Sequence, residues 1–366
     1  MLKPINTFLL NFFLLCFFLH DLANALPEVV ISSKKSVNGY ILAPASGDKN
    51  VILMNHTGKI IHTWNIDTVR AKLLPSCNLL AINEDKLREY TWEGKQVWET
   101  NAPKMIHHDF DTASNGNTFL IYRKHLQYLP KDKNSISPTK MRKVRSDVLR
   151  EVDQKKNVLW EWHFDKHLDY RNCGAKPCGK GADSPVWIER VRDWSHVNTV
   201  RVIPENKWYD SGDERFKPGN IITTMRNTWT AYIIEKETKK IVWEYSGDFL
   251  GGLRFPHEAH MIPKGYPGAG NLLIFDNGDA KRGSIALEID PTSNKVVWHY
   301  KNGRKFFSNG HGSLMRLPNG NTFISEDFRN RAFEITPENE IVWKVKGING
   351  LRRAVKYSPN YCAKLK

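Results

Sequence analysis

The sequence predicts an all-β protein: a six-bladed β-propeller of four-stranded blades, with the ring closed by the C-terminal strand. Three observations carry that prediction. A Val/Ile-rich strand, usually bearing Trp, recurs six times; a short polar turn precedes each copy; and a second hairpin precedes most copies. Apolar alternation on both sides of a turn of Gly, Asn, Asp or Lys is the mark of a β-hairpin. Two hairpins per repeat make four strands, and such a unit cannot bury both of its faces alone. Radial stacking buries them and leaves only short edges.

The first segment stands apart from the repeats. Met1 to Ala25 begins with Lys3, runs through an apolar stretch from Phe8 to Leu19, and ends on Ala23-Asn24-Ala25. A charged start, a short apolar centre and an A-x-A end describe a secretory signal peptide cleaved after Ala25. The apolar run is about 12 residues, below the roughly 20 that a spanning helix needs, so stable membrane insertion is not expected. The expected organisation is a signal peptide over 1–25 and one propeller domain over 26–366.

The repeats then follow in order. The Trp-bearing hairpins are ILMNHTGKIIHTWN (52–65), LREYTWEGKQVWET (87–100), LREVDQKKNVLWEW (149–162), YIIEKETKKIVWEY (232–245), ALEIDPTSNKVVWHY (286–300) and FEITPENEIVWKV (333–345). The leading hairpins turn at SNGN (114–117), KPGN (217–220), GAGN (268–271) and PNGN (318–321). The first repeat lacks a leading strand, and the tail Leu351–Tyr357 reads as the strand that fills the gap. Trp64, Trp98, Trp160, Trp243, Trp298 and Trp343 sit at one strand position, where bulky aromatics pack between blades.

Charge and cysteines bound the partners. There are 54 Lys+Arg against 39 Asp+Glu, a formal net charge of +15. These cations are spread along the chain, with a modest cluster from Lys140 to Arg150, which describes a solvated basic surface attractive to anions rather than a nucleic-acid site. The expected mature chain keeps Cys77, Cys173, Cys178 and Cys362. An even number in an exported protein points to disulfides. Cys173 and Cys178 form the local pair in a Gly-rich loop, and by elimination Cys77 meets Cys362. A zinc site at Cys173/Cys178 is the alternative, without a second Cys/His pair at zinc spacing.

Histidine opens the leading strand of four repeats: His107-His108-Asp109, His196-Val197-Asn198, His257-Glu258-Ala259-His260 and His311-Gly312. Matched places on leading strands surround a propeller axis, so these imidazoles are expected to converge on one end of the channel. A ring of imidazoles could hold a metal. Alternatively, one imidazole acts as nucleophile or base while the others grip an anion. Arg226, after the second strand of the His196 repeat, is expected at the same place. A guanidinium opposes a metal but suits a sulfuryl or phosphoryl group.

DWSHVN (193–198) with MRN (225–227), HHDF (107–110), PHEAH with IFDNG (256–278) and HGSLMRLPNGNTFISE (311–326) together resemble the signature segments of the arylsulfotransferase family. The resemblance spans nearly the whole mature chain in the same segment order. It implies a six-bladed propeller that transfers a sulfuryl group between phenols, through a sulfated histidine and without a nucleotide sulfate donor. No cofactor is implied, and the partners are a small phenolic sulfate donor and a phenolic acceptor.

Matched residue by residue, the resemblance makes His257 the sulfated nucleophile. It places His196, Asn198 and Arg226 on the non-bridging oxygens, and His108 as acid and base at the phenolic oxygen. His311 is a further substrate-binding residue, and His260 is a second candidate nucleophile. The chain departs from the family pattern by insertions at about 205–217 and within the Pro263–Gly270 turn. The insert from Phe164 to Arg192, with Tyr170 and Trp187, is a candidate wall for the acceptor pocket. The readings that compete with a sulfotransferase are a metal-dependent propeller enzyme using the histidines and a non-catalytic ligand-binding propeller.

Overall fold

The structure is a computed structural model that describes residues 26–103, 105–128, 142–169, 174–175 and 193–365. The signal segment 1–25, the expected Cys173–Cys178 pair, Tyr170 and Trp187 lie outside those residues. The described chain is a ring of six antiparallel sheets, a six-bladed propeller. Blade one contains Tyr40–Ala45, Asn50–Asn55 and Ile60–Trp64, with Val355–Tyr357 paired to Tyr40–Leu42. Blade two runs Ala71–Leu73, Leu79–Asn83, Lys86–Tyr90 and Gln96–Glu99. Blade three runs Ile106–Thr112, Thr118–Tyr128, Arg142–Val152 and Val158–His163.

Blade four runs Val197–Val202, Ile221–Met225, Thr230–Ile234 and Ile241–Tyr245. Blade five runs Pro256–Met261, Leu272–Asp279, Gly283–Asp290 and Lys295–Lys301. Blade six runs Ser313–Arg316, Thr322–Glu326, Arg331–Ile335 and Ile341–Lys346. Glu28–Ser32 adds a fifth strand to its outer edge, paired with Ile341–Lys346. A disulfide joins Cys77 to Cys362 at a Cα separation of 5.5 Å, as the sequence predicts.

Sequence character follows depth in the blade. The second strand of blade four, IITTM, is buried at every position because neighbouring blades cover both faces. The outermost strand, IVWEY, keeps Glu244 exposed. A hydrophobic cluster fills each interface between adjacent blades, including the one between blades six and one. The six repeated tryptophans pack there and add a directional link. Each indole N–H donates to a carbonyl in the outer turn of the next blade: Trp64 to Thr91, Trp98 to Gln154, Trp160 to Lys236, Trp243 to Pro291, Trp298 to Pro337 and Trp343 to His56. A buried indole needs such an acceptor, so the repeat serves both packing and register between blades.

The two insertions touch each other. Asn206 caps the short helix Lys207–Asp210, and Trp208 donates its indole N–H to the Gly270 carbonyl at 2.8 Å. Gly270 has φ +88, and a Cβ there would lie 2.9 Å from that indole nitrogen. Only glycine suits both the backbone and the space.

Candidate active site

The starts of the leading strands gather the expected histidines. The His108 ring lies 5.0 Å from His196 and 5.9 Å from His257, and His257 lies 5.3 Å from His311. They do not share one backbone position, however. His108, His196, His311 and Arg353 each adopt a left-handed backbone, with φ of 60, 47, 57 and 40°. In blade five that conformation belongs to Phe255, φ 57°, and His257 comes two residues later. His257 occupies the place of Asn198: both interrupt the pairing of their leading strand with the second strand. Left-handed backbone at non-glycine residues is costly and tends to collect at functional sites.

Three of the rings have their own anchors. Nδ1 of His257 meets the Asn198 amide nitrogen at 3.1 Å, and that nitrogen also donates to the Pro256 carbonyl at 3.0 Å. His257 is 3% exposed, and its Nε2 has no hydrogen-bond partner among the described residues. His196 Nδ1 bonds the Asp193 carboxylate at 2.7 Å. His108 Nδ1 meets Nδ1 of His107, whose Nε2 bonds Asp147 at 2.9 Å. Asp147 is buried and also accepts from Ser195 Oγ and the Val197 N–H.

Arg226 stacks its guanidinium over Phe255 at 4.6 Å and is close enough to His257 and His311 to disfavour their protonation. His260 turns elsewhere. Its Nδ1 is 3.4 Å from Glu258 Oε1, and it makes no ring contact with the other histidines among the described residues.

Beneath the rings lies a charge cluster that the sequence reading did not identify. Asp109 pairs with Arg70 at 2.9 Å, with Arg353 at 3.2 Å, and with Arg201. Arg201 reaches Glu258 at 2.8 Å, and Arg353 approaches the other oxygen of Glu258 at 3.6 Å. Arg353 also donates to the carbonyls of Asn198 and His257. All five side chains are buried. Three guanidiniums against two carboxylates leave one surplus positive charge next to the cavity. Burial alone would raise the Glu258 carboxyl, but Arg201, His260 and Arg353 hold it well below the usual range.

This setting keeps His257, His108 and His311 neutral. Burial first, then Arg353, His311 and Arg226, push His257 well below its ordinary value. Burial and the neighbouring His107, His196 and His257 do the same to His108. His311 falls to about 3 through burial, Arg352 and Arg353. A neutral imidazole is a nucleophile or a base; an imidazolium is neither.

His107, His108, His257, His311 and Arg353 line a cavity of about 340 Å³. Val69, Ile82 and Ile106 form its apolar wall, while Asp67, Glu84 and Asp85 also border it. His196 and Arg226 stand outside that lining, behind His108 and Phe255 respectively. Imidazole nitrogens and a guanidinium at one end, with an apolar wall at the side, fit an aromatic ring carrying a small oxyanion. Among the described residues, no group of three or more His, Cys, Asp or Glu side chains is arranged to hold a metal ion.

Comparison with known proteins agrees with this architecture. The family profile described as arylsulfotransferase (ASST) matches residues 78–348. No curated protein matches the chain. A protein of unknown function from Bacteroides caccae has a similar fold, with 14% identity and a TM-score of 0.53, over 87% of this chain and 99% of that one. A catalytically inactive virginiamycin B lyase from Staphylococcus aureus, with quinupristin, matches over 87% of each chain at 10% identity and a TM-score of 0.45. Apo AztD from Citrobacter koseri matches over 88% of this chain and 98% of that one, at 7% identity and a TM-score of 0.47.

Proposed function

The chain belongs to the arylsulfotransferase family, and we propose that it moves a sulfuryl group from a phenolic sulfate ester to a phenolic acceptor, by a ping-pong route through sulfated His257. The observation that carries the reading is Nε2 of His257: buried, unpartnered and kept neutral, on a cavity beside a surplus guanidinium charge. In the first half-reaction the Nε2–S bond forms and the bond from sulfur to the aryl oxygen breaks. The proton that His257 loses ends on the aryl oxygen, so a phenol leaves and a sulfoimidazole remains. The second half-reaction reverses these steps with a new phenol.

The residues divide the work. Sulfuryl transfer resembles phosphoryl transfer in needing mostly positioning and charge stabilisation. Arg353 meets the non-bridging oxygens from the cavity lining, and Arg226 and His196 support them from just outside it. Asn198 accepts a different duty from the one the resemblance implies: it anchors the nucleophile's ring. Its amide nitrogen suits the sulfated state, in which Nδ1 carries a lone pair. His108 carries the proton. His311 closes the side of the cavity, and His260 stays outside the chemistry.

We also propose export, after cleavage near Ala25. No helix among the described residues is long and apolar enough to cross a membrane, and the Cys77–Cys362 bond suits an oxidising compartment.

Incubation of the mature protein with 4-nitrophenyl sulfate, with and without phenol, tests the reading. The expected result is chromophore release with one SO3 added to a peptide containing His257, and its removal when phenol is present. Turnover that survives His257→Ala would overturn the assignment. Turnover that a chelator abolishes would favour the metal-dependent reading, and ligand binding without exchange would favour a binding propeller.

A further inference from the structure

Asp147, His107 and His108 form a linear chain that ends on the cavity. Asp147 comes from the third strand of blade three, whereas both histidines come from its leading strand. Its carboxylate is fixed from three sides, by His107 Nε2 at 2.9 Å, Ser195 Oγ at 2.7 Å and the Val197 N–H at 2.8 Å. His107 is itself on the cavity lining, but both of its ring nitrogens are already engaged, at 2.9 Å by Asp147 and at 2.5 Å by His108. This leaves Nε2 of His108 as the chain's uncommitted nitrogen.

The hydrogen bonds have one consistent direction. A carboxylate only accepts, so His107 must carry its proton on Nε2. With that single proton on the ring, Nδ1 of His107 offers a lone pair, and His108 donates its Nδ1–H to it. Nε2 of His108 is left bare. We infer that Asp147 and His107 are positioning residues that set the tautomer of His108 and make it the proton carrier of the transfer.

Burial would raise the Asp147 carboxyl, but the hydrogen bonds from His107, Ser195 and Val197 bring it down to about 2, so it stays an acceptor. The catalytic part rests on the sulfotransfer reading above. The proton on Nε2 of His257 passes first to Nε2 of His108, and the lone pair this frees then bonds to sulfur. The proton moves from His108 to the departing aryl oxygen, and the acceptor phenol returns a proton by the same route. The positive charge that His108 carries in between is shared along the chain towards Asp147.

Two measurements test this. Nitrogen-15 NMR of the histidine rings in the resting protein should show His108 protonated at Nδ1 and His107 at Nε2; the opposite tautomer of His108 would overturn the inference whatever the protein catalyses. In single-turnover sulfation of the enzyme, His107→Phe should slow transfer from phenyl sulfate by about 100-fold or more. It should slow transfer from 4-nitrophenyl sulfate, whose phenolate needs less protonation, by at least about tenfold less.

His107→Gln can donate to Asp147 and accept from His108, and it should restore most of the loss. Equal losses for both donors, or no rescue by Gln in a variant that melts as the parent does, would reduce His107 to a structural residue. Failure of the parent protein to become sulfated would sink the sulfotransfer reading and leave the tautomer result standing.

Discussion

Asn198 and His257 hold the same bulged place in neighbouring blades, and the amide of the first meets Nδ1 of the second at 3.1 Å. The bulge turns both side chains towards the axis, where strict alternation would separate them. Asn198→Ala removes the ring's anchor and the bond to the Pro256 carbonyl. The expected loss is about 1–3 kcal/mol of transition-state stabilisation, or roughly 5- to 150-fold in kcat, with KM for 4-nitrophenyl sulfate nearly unchanged. A change confined to KM would mean that Asn198 binds substrate rather than orients the nucleophile.

Arg353 carries a stability prediction. Its removal leaves Asp109 and Glu258 buried with two cations, Arg70 and Arg201, takes the donor from the Asn198 carbonyl, and leaves the His257 carbonyl with Thr199 alone. Each buried acceptor left short of its donor costs about 1–3 kcal/mol. Arg353→Met should therefore lower the urea midpoint strongly, and Arg353→Lys should recover only part, since an ammonium cannot reproduce the fork. A midpoint shift corresponding to less than about 1 kcal/mol would contradict the keystone role.

Acid stability follows from the neutral imidazoles. Folded His311 titrates near 3, far below the unfolded chain at about 6.5, so the unfolded state takes the proton first as pH falls. Its effect is absent above about pH 6.5. Between there and about 3 it lowers stability by up to about 1.4 kcal/mol per pH unit. His108 and His257 act in the same direction. Denaturation curves from pH 7 to 4 should flatten measurably in His311→Gln; an unchanged slope would place the titration elsewhere.

The Cys77–Cys362 bond spans 285 residues of sequence. Cross-linking so long a segment restricts the unfolded chain, and disulfides of this kind are typically worth about 2–4 kcal/mol. The double Cys→Ser variant should melt several degrees lower and keep its kcat, because neither cysteine lines the histidine cavity. Loss of kcat at a temperature well below melting would couple the tail to the site.

The blades are legible in the sequence because each copy carries the same Trp at the same distance from a polar turn, and each indole meets the same need in the next blade. The histidine cluster is legible for the same reason, since repeats place their leading strands equivalently. The offset of His257 is not. A bulge adds a residue without altering composition, so His257 reads as the counterpart of His196 when it is the counterpart of Asn198.

Asp147 reads as part of the basic run from Lys140 to Arg150, because nothing local reveals that strand pairing sinks it to 1% exposure. Arg353 lies in the tail read as the missing leading strand, but nothing in that reading sets it at the histidine position. Its counterparts, His196 and His311, emerge only after LRRAVKY is set beside SHVNTV and GHGSLM as another leading segment.

Arg353 follows the last strand of blade six in the sequence, yet it holds the backbone of Asn198 and His257, 155 and 96 residues earlier. A nascent polypeptide that has already shaped blades three to six still lacks the bolt through their centre. Any nonsense codon ahead of Arg353 should therefore yield a protein without that bolt, however much of the ring it encodes.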